Sequence, residues 1–84
     1  MRWTEAEVCR ALALPPGDPE VVINRITTDT RTIAPGDLFV ALTGDRFDGH
    51  RFLSAARDAG AVGAVVRAET ADQPGLRLYR VPDP

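Results

Sequence analysis

Eighty-four residues make one small domain, with the 44% hydrophobic and 26% charged composition of an ordinary soluble globular chain. A chain this short buries only ~60% of the surface its unfolded form exposes, so its core is modest. The formal net charge of −2 gives no basic face able to hold a phosphate backbone by counterion release, and a nucleic-acid partner is excluded on that ground.

All ten basic residues are arginine. A phosphate-binding Walker A loop needs a lysine, and so does Schiff-base catalysis, so neither chemistry is expected from these residues. Cys9 is the single cysteine, which excludes an internal disulfide and a cysteine-based zinc site. On a predicted helix it reads as a small buried hydrophobe rather than a reactive thiol. Met1-Arg2-Trp3 leads straight into a capped helix, without the basic-then-apolar pattern of a secretory signal. No apolar run is long enough to span a bilayer. The expected location is the cytoplasm, with no membrane partner.

The chain opens on Thr4-Glu5-Ala6-Glu7, a capping box in which the Thr4 hydroxyl and the Glu7 carboxylate each satisfy the other's backbone amide. Trp3 and Val8 occupy the staple positions around it, and Val8, Ala11 and Leu12 share one face. The spacing predicts a helix over 4–13, stopped by Pro15-Pro16, with Trp3 and both glutamates in structural roles. Residues 15–20 read as a loop and the β-branched run 21–28 as a strand. Asp29-Thr30-Arg31-Thr32 forms a polar corner, and Pro35-Gly36-Asp37 is a turn signal. Leu38 to Leu42 is a continuous apolar run suited to a strand buried on both faces.

Residues 43–49 form a loop with glycines at 44 and 49. A second helix is predicted over 50–59, with Phe52, Ala56 and Ala59 on one stripe and Leu53 beside it. Asp48 is its expected N-cap and Gly60 its residue beyond the C-cap. Residues 62–67 read as another strand, making 38–67 a βαβ unit with parallel strands and a right-handed crossover. After a polar loop over 68–75, the alternation from Leu76 to Val81 suits an edge strand. Pro82-Asp83-Pro84 reads as linker, so a domain cut from a longer polypeptide is expected. The fold class is α/β, a small mixed sheet with a βαβ unit and an N-terminal helix.

In open α/β sheets ligands bind outside the carboxyl ends of the strands. Two loops fit that rule, 29–32 and 43–49, and they meet at one rim if their strands are neighbours. The second runs into a helix N-terminus, whose free amides favour an anionic group. Each residue also has a purely structural reading. Asp29 and Thr30 can stabilise an Asx-type corner, Arg31 can pair with Asp29 or Asp37, Asp48 can cap a helix, and the glycines can serve backbone angles alone. His50 has no Ser, Cys or second His with which to build a triad or a metal site.

Asp29-Thr30-Arg31, then residues 35–42 (Pro-Gly-Asp-Leu-Phe-Val-Ala-Leu), then 44–52 (Gly-Asp-Arg-Phe-Asp-Gly-His-Arg-Phe), then Ala59-Gly60-Ala61 form one ordered set. Over about residues 23–67 this set closely resembles the first domain of the Mur ligases, bacterial cell-wall peptide ligases. Phe47-Asp48-Gly49-His50 and the early first helix look more like members that add D-alanyl-D-alanine than like members that add a diamino acid. The resemblance implies a three-domain enzyme that joins an amino acid or dipeptide to a UDP-N-acetylmuramoyl-peptide. It would use ATP and magnesium through an acyl phosphate, and act as a monomer. It further implies that residues 1–84 hold the UDP end of that substrate, without a catalytic or metal-binding residue. The central ATP-binding and C-terminal domains would lie outside this chain. Carried over by position, Thr30 matches a serine that contacts the nucleotide, and Thr28 a residue whose backbone lies against it. Asp45, Arg46 and Phe47 match a contacting loop, and Arg31 and His50 complete the expected rim. A non-catalytic scaffold that kept the fold and lost the ligand is the alternative from another class.

Overall fold

A computed structural model describes residues 2–41 and 52–82. Thr4 is where the chain turns from its first strand, β1 (Trp3–Thr4), into its first helix, α1 (Glu5–Ala11). Its backbone is extended, at φ −99° and ψ 158°, and its Oγ1 accepts from the Glu7 amide at 3.2 Å. The Glu7 carboxylate in turn accepts from the Thr4 amide at 3.0 Å, completing the expected capping box. Trp3 packs against the apolar cluster that contains Val8, as the staple positions require.

The helix ends two residues before the expected 13, because Ala13 takes the left-handed conformation at φ +58°. The amides of Ala13 and Leu14 then donate to the carbonyls of Arg10 and Cys9, at 3.2 and 2.9 Å. This is a Schellman closure with alanine where glycine is usual. The two prolines therefore follow the end of the helix and do not cause it.

The run 21–28 is divided at Asn24 into β2 (Val22–Ile23) and β3 (Arg25–Thr27), which belong to different sheets. Strand β2 pairs antiparallel with β1, Trp3 opposite Ile23. At the break, the Asn24 backbone amide donates to the Gly36 carbonyl at 2.9 Å, and its side-chain amide to the Pro35 carbonyl at 3.3 Å. Thereafter β3 runs parallel to β4 (Asp37–Val40).

Helix α2 (Leu53–Asp58) and strand β5 (Gly63–Arg67) complete the expected βαβ unit, and β4 and β5 are parallel. Strand β6 (Arg77–Val81) pairs in parallel with β5 at the sheet's far edge. The four-stranded sheet has the order β3-β4-β5-β6 and is wholly parallel. The mixture of pairing directions thus arises from two sheets, a parallel one and a two-stranded antiparallel ribbon. Leu53 and Ala56 are the buried residues of α2, while Phe52 is exposed and stands before the helix, off the stripe expected for it. Gly60, at φ +95°, occupies the predicted position beyond the C-cap, and Ala61 donates back to the Ala56 carbonyl at 3.1 Å. The expected cap Asp48 lies outside the described residues.

Parallel sheets need cover on both faces, and the strand alternation provides two apolar layers. On one face Leu38, Val65, Tyr79 and Val81 meet Val8 and Cys9 of α1 and Ile23 of β2. On the other, Phe39, Ala64 and Val66 meet Leu53 and Ala56 of α2. Gly63 makes room for the ring of Tyr79 on the neighbouring strand β6. A side chain there would come within 2.6 Å of the Tyr79 ring. The ring lies in that space, and the Tyr79 hydroxyl donates to Glu5 Oε2 at 2.6 Å.

Candidate functional site: the rim beyond strands β3 and β4

Because β3 and β4 are adjacent and parallel, with Thr27 opposite Phe39, the segments that follow both strands leave the sheet at the same end. After β3 the chain turns at Asp29 into one turn of 3₁₀ helix, Thr30–Thr32. Asp29 Oδ1 accepts from the Arg31 amide at 2.9 Å, and the Asp29 carbonyl accepts from the Thr32 amide at 3.1 Å. Thr27 Oγ1 accepts the Asp29 amide at 3.2 Å and lies 3.3 Å from Thr32 Oγ1. The Asx-type corner is therefore real, and it uses most of the local polar groups.

Arg31 folds back on Asp29, donating from Nε to Oδ1 at 3.1 Å and from Nη2 to Oδ2 at 3.0 Å. Of the two partners open to it, Arg31 takes Asp29. The guanidinium and its amide hold the Asp29 carboxyl below the usual carboxylate range, and the pair raises Arg31 in turn. Both groups sit in solvent, with the Arg31 side chain 87% exposed, so the pair sets shape more than stability. Thr30 is half-buried, and among the described residues its hydroxyl makes no hydrogen bond; Thr28 is exposed. The corner thus brings Thr28, Thr30 and Arg31 together. Asp45, Arg46, Phe47 and His50 lie outside the described residues.

Beneath the corner is a buried carboxylate that reads from the sequence only as a turn residue or a partner for Arg31. Asp37, 2% exposed, accepts from Arg25 Nε and Nη2 at 3.2 and 2.8 Å and from the Ala34 amide at 2.9 Å. Burial pushes this carboxyl up, but the Ala34 amide and the Arg25 guanidinium outweigh burial and leave it below its ordinary value. Arg25 Nη2 also donates to the Thr32 carbonyl, the last of the 3₁₀ turn. A direct chain of charge and hydrogen bonds therefore links the start of β4 to the corner.

A second polar cluster joins α1 to the edge strand β6. Glu5 accepts the Asp18 amide at 2.8 Å, the Tyr79 hydroxyl and the Arg77 guanidinium. Its role is structural, as expected of it. Between α1 and the sheet opens a groove of about 700 Å³, lined by Trp3, Val8, Leu12, Ile26, Val40 and Val81 among others. It is largely apolar, and residues 28–31 do not line it. Among the described residues no helix is long and apolar enough to cross a membrane, and no cluster of three His, Cys, Asp or Glu could hold a metal ion. With no lysine in the chain and no such cluster among them, the described residues do not fit an ATP–magnesium site.

Residues 22–81 match the family model described as "Mur ligase family, catalytic domain". The UDP-N-acetylmuramoyl-tripeptide--D-alanyl-D-alanine ligase of Synechocystis sp. is 52% identical over 46 residues, covering 55% of this chain and 10% of that protein. The UDP-N-acetylmuramoyl-L-alanyl-D-glutamate--2,6-diaminopimelate ligase of Parasynechococcus marenigrum is 42% identical over 74 residues, covering 80% and 15%. A crystal structure of MurF from Acinetobacter baumannii superposes with a TM-score of 0.82 at 30% identity, covering 99% of this chain and 18% of that one. The chain thus spans less than a fifth of the length of each of these three proteins. The family match takes in β2 through β6, with both the Asp29–Arg31 corner and the segment after β4 inside it: the chain belongs to the Mur ligase family.

Proposed function

We propose that this chain is the substrate-anchoring domain of a ligase that adds D-alanyl-D-alanine to a UDP-N-acetylmuramoyl-peptide, and that the rim beyond β3 and β4 takes the UDP end. The observation that carries the reading is the half-buried Thr30, whose hydroxyl makes no hydrogen bond among the described residues, on a corner where the side chains of Thr27, Asp29, Arg31 and Thr32 are paired. A uracil edge offers carbonyl acceptors and an imide donor, which suit a hydroxyl and strand-end backbone groups. Thr28, Thr30 and Arg31 supply one side of the site. By resemblance, Asp45, Arg46, Phe47 and His50 supply the other. Binding energy gathered at this remote end positions the reacting carboxylate elsewhere in a longer enzyme, and so raises the rate without local chemistry. ATP, magnesium and the ligation step belong, in this reading, to central and C-terminal domains of a monomeric cytoplasmic enzyme of peptidoglycan synthesis.

The structural likeness to MurF extends over 99% of the chain and favours the dipeptide-adding reading. A second reading, a diamino-acid-adding ligase, draws on the 74-residue match to a diaminopimelate ligase. Offering the full-length ligase either D-alanyl-D-alanine or diaminopimelate, each with its UDP-peptide, separates the two. The site itself is tested by titrating UDP into the ¹⁵N-labelled chain. The amides of 28–31 should shift, and Thr30→Val should weaken binding by ~1–3 kcal/mol, the cost of leaving a polar atom unpaired. Shifts confined to the α1 groove, or unchanged affinity in Thr30→Val, would place the nucleotide elsewhere.

A further inference from the structure

We propose that Arg25, which stands outside the rim, is the residue that positions it; the inference rests on the reading of the rim as a nucleotide site. A single turn of 3₁₀ helix has weak hydrogen-bond geometry and does not hold its shape unaided. The turn Thr30–Thr32 is closed by one backbone bond, Thr32 amide to Asp29 carbonyl at 3.1 Å, with the Thr32 hydroxyl on the same carbonyl at 3.1 Å. The Arg31–Asp29 pair above it is solvated and screened. What anchors the turn from below is Arg25, itself half-exposed, whose guanidinium joins the Thr32 carbonyl to a carboxylate with 3% side-chain exposure.

Asp37 is fixed by three further constraints. Its carboxylate takes the Ala34 amide at 2.9 Å, its carbonyl takes the Val62 amide at 2.8 Å, and its amide donates to the Ala34 carbonyl at 3.1 Å. The start of β4 is therefore a rigid post. Arg25 faces it in the parallel register, Arg25 opposite Asp37, and carries that rigidity to the end of the turn that presents Thr30. Its donors at Nε and Nη2 are engaged within the protein. The role is positioning, exerted through the backbone of 30–32. A lysine cannot reproduce it fully, because a point charge lacks the planar fork that serves carboxylate and carbonyl together.

UDP titrated into the ¹⁵N-labelled chain tests this, with Arg25→Met and Arg25→Lys beside wild type. Arg25→Met keeps the apolar stem and removes the fork. Its affinity for UDP should fall about tenfold, the scale of one charge-assisted anchor. The amides of Arg31, Thr32 and Ala34 should move, while those of Phe39 and Val66 in the core stay in place. Arg25→Lys should recover part of the loss, which a general loss of stability would not predict. Should Arg25→Met fail to fold, Arg25→Lys alone decides, by weaker binding with a native core spectrum. Wild-type affinity in a folded variant overturns the positioning role and leaves the nucleotide site standing. UDP shifts in wild type that avoid 28–31 overturn the site, and the positioning role falls with it.

Discussion

Glu5→Gln should destabilise the chain strongly for so small a change in shape. The carboxylate joins three parts of the fold: the first turn of α1, the loop at Asp18 and the edge strand β6 through Arg77 and Tyr79. It is 5% exposed, and all its contacts require an acceptor. An amide in its place presents an NH₂ group to at least one donor, leaving a buried group unpaired at ~1–3 kcal/mol. The Tyr79 hydroxyl first, then the Asp18 amide, and against the cost of burial also Arg77, hold the Glu5 pKa at about 2, against 4.5 normally. One pK unit is ~1.4 kcal/mol, and the half-exposed Arg77 admits solvent screening, so the carboxylate contributes on the order of 2–3 kcal/mol. Because the folded pKa is depressed, that contribution is complete above about pH 4.5 and fades as pH falls through about 2. Urea melts of wild type and Glu5→Gln should therefore differ by ~2–3 kcal/mol at pH 7 and converge towards pH 2. In thermal melts, ~4–8 °C per kcal/mol is expected for a domain of this size. Coincident melts at pH 7, or a gap that persists unchanged to pH 2, would refute the account.

Two smaller perturbations examine the ends of α1. Thr4→Ala removes the side-chain half of the capping box and should cost ~1 kcal/mol in urea melts, with no effect on the rim amides. Ala13→Gly should stabilise the chain by up to ~1 kcal/mol, since the residue sits at φ +58° and glycine adopts that geometry without its steric penalty; a lower melting temperature would contradict the Schellman closure.

The order of the elements was legible in the sequence because local signals carry it. A capping box, a glycine after a helix and apolar runs between turns act over a few residues. Boundaries set by distant groups were not legible. Asn24 ends β2 because Gly36 and Pro35, eleven or twelve positions on, take its hydrogen bonds. Nothing in the β-branched run around it marks a change of sheet. Helix α1 stops before Ala13 and the prolines, although alanine is the best helix former, because the amides of Ala13 and Leu14 close back on Arg10 and Cys9 and carry Ala13 into the left-handed region at a backbone cost. Phe52 looked like part of a helical stripe by spacing alone, yet the helix begins after it. The one available sign of the Glu5 cluster was Arg77 and Tyr79 two apart, hence on one face of an edge strand. A buried glutamate 72 residues upstream could not be paired with them from pattern.

At the rim, pattern and chemistry diverge in a way that bears on how a nucleotide would be held. The motif Asp29-Thr30-Arg31 puts an arginine on the expected rim, where a cation could draw the phosphates of a nucleotide. In the fold that guanidinium is already committed to Asp29 through Nε and Nη2, and the pair is nearly neutral as seen from a distance. A ligand that drew Arg31 away would break the side-chain pairing that helps shape the corner, so charge attraction there works against positioning. The threonine faces no such conflict. Its hydroxyl is uncommitted among the described residues, and its backbone is fixed from two sides, by Asp29 at the head of the turn and by Arg25 at its foot. Recognition through a neutral hydroxyl on a stiff turn depends on the shape and hydrogen bonds of a base or sugar more than on phosphate charge. This is what a domain needs if it is to select one end of a substrate and leave the reacting end free.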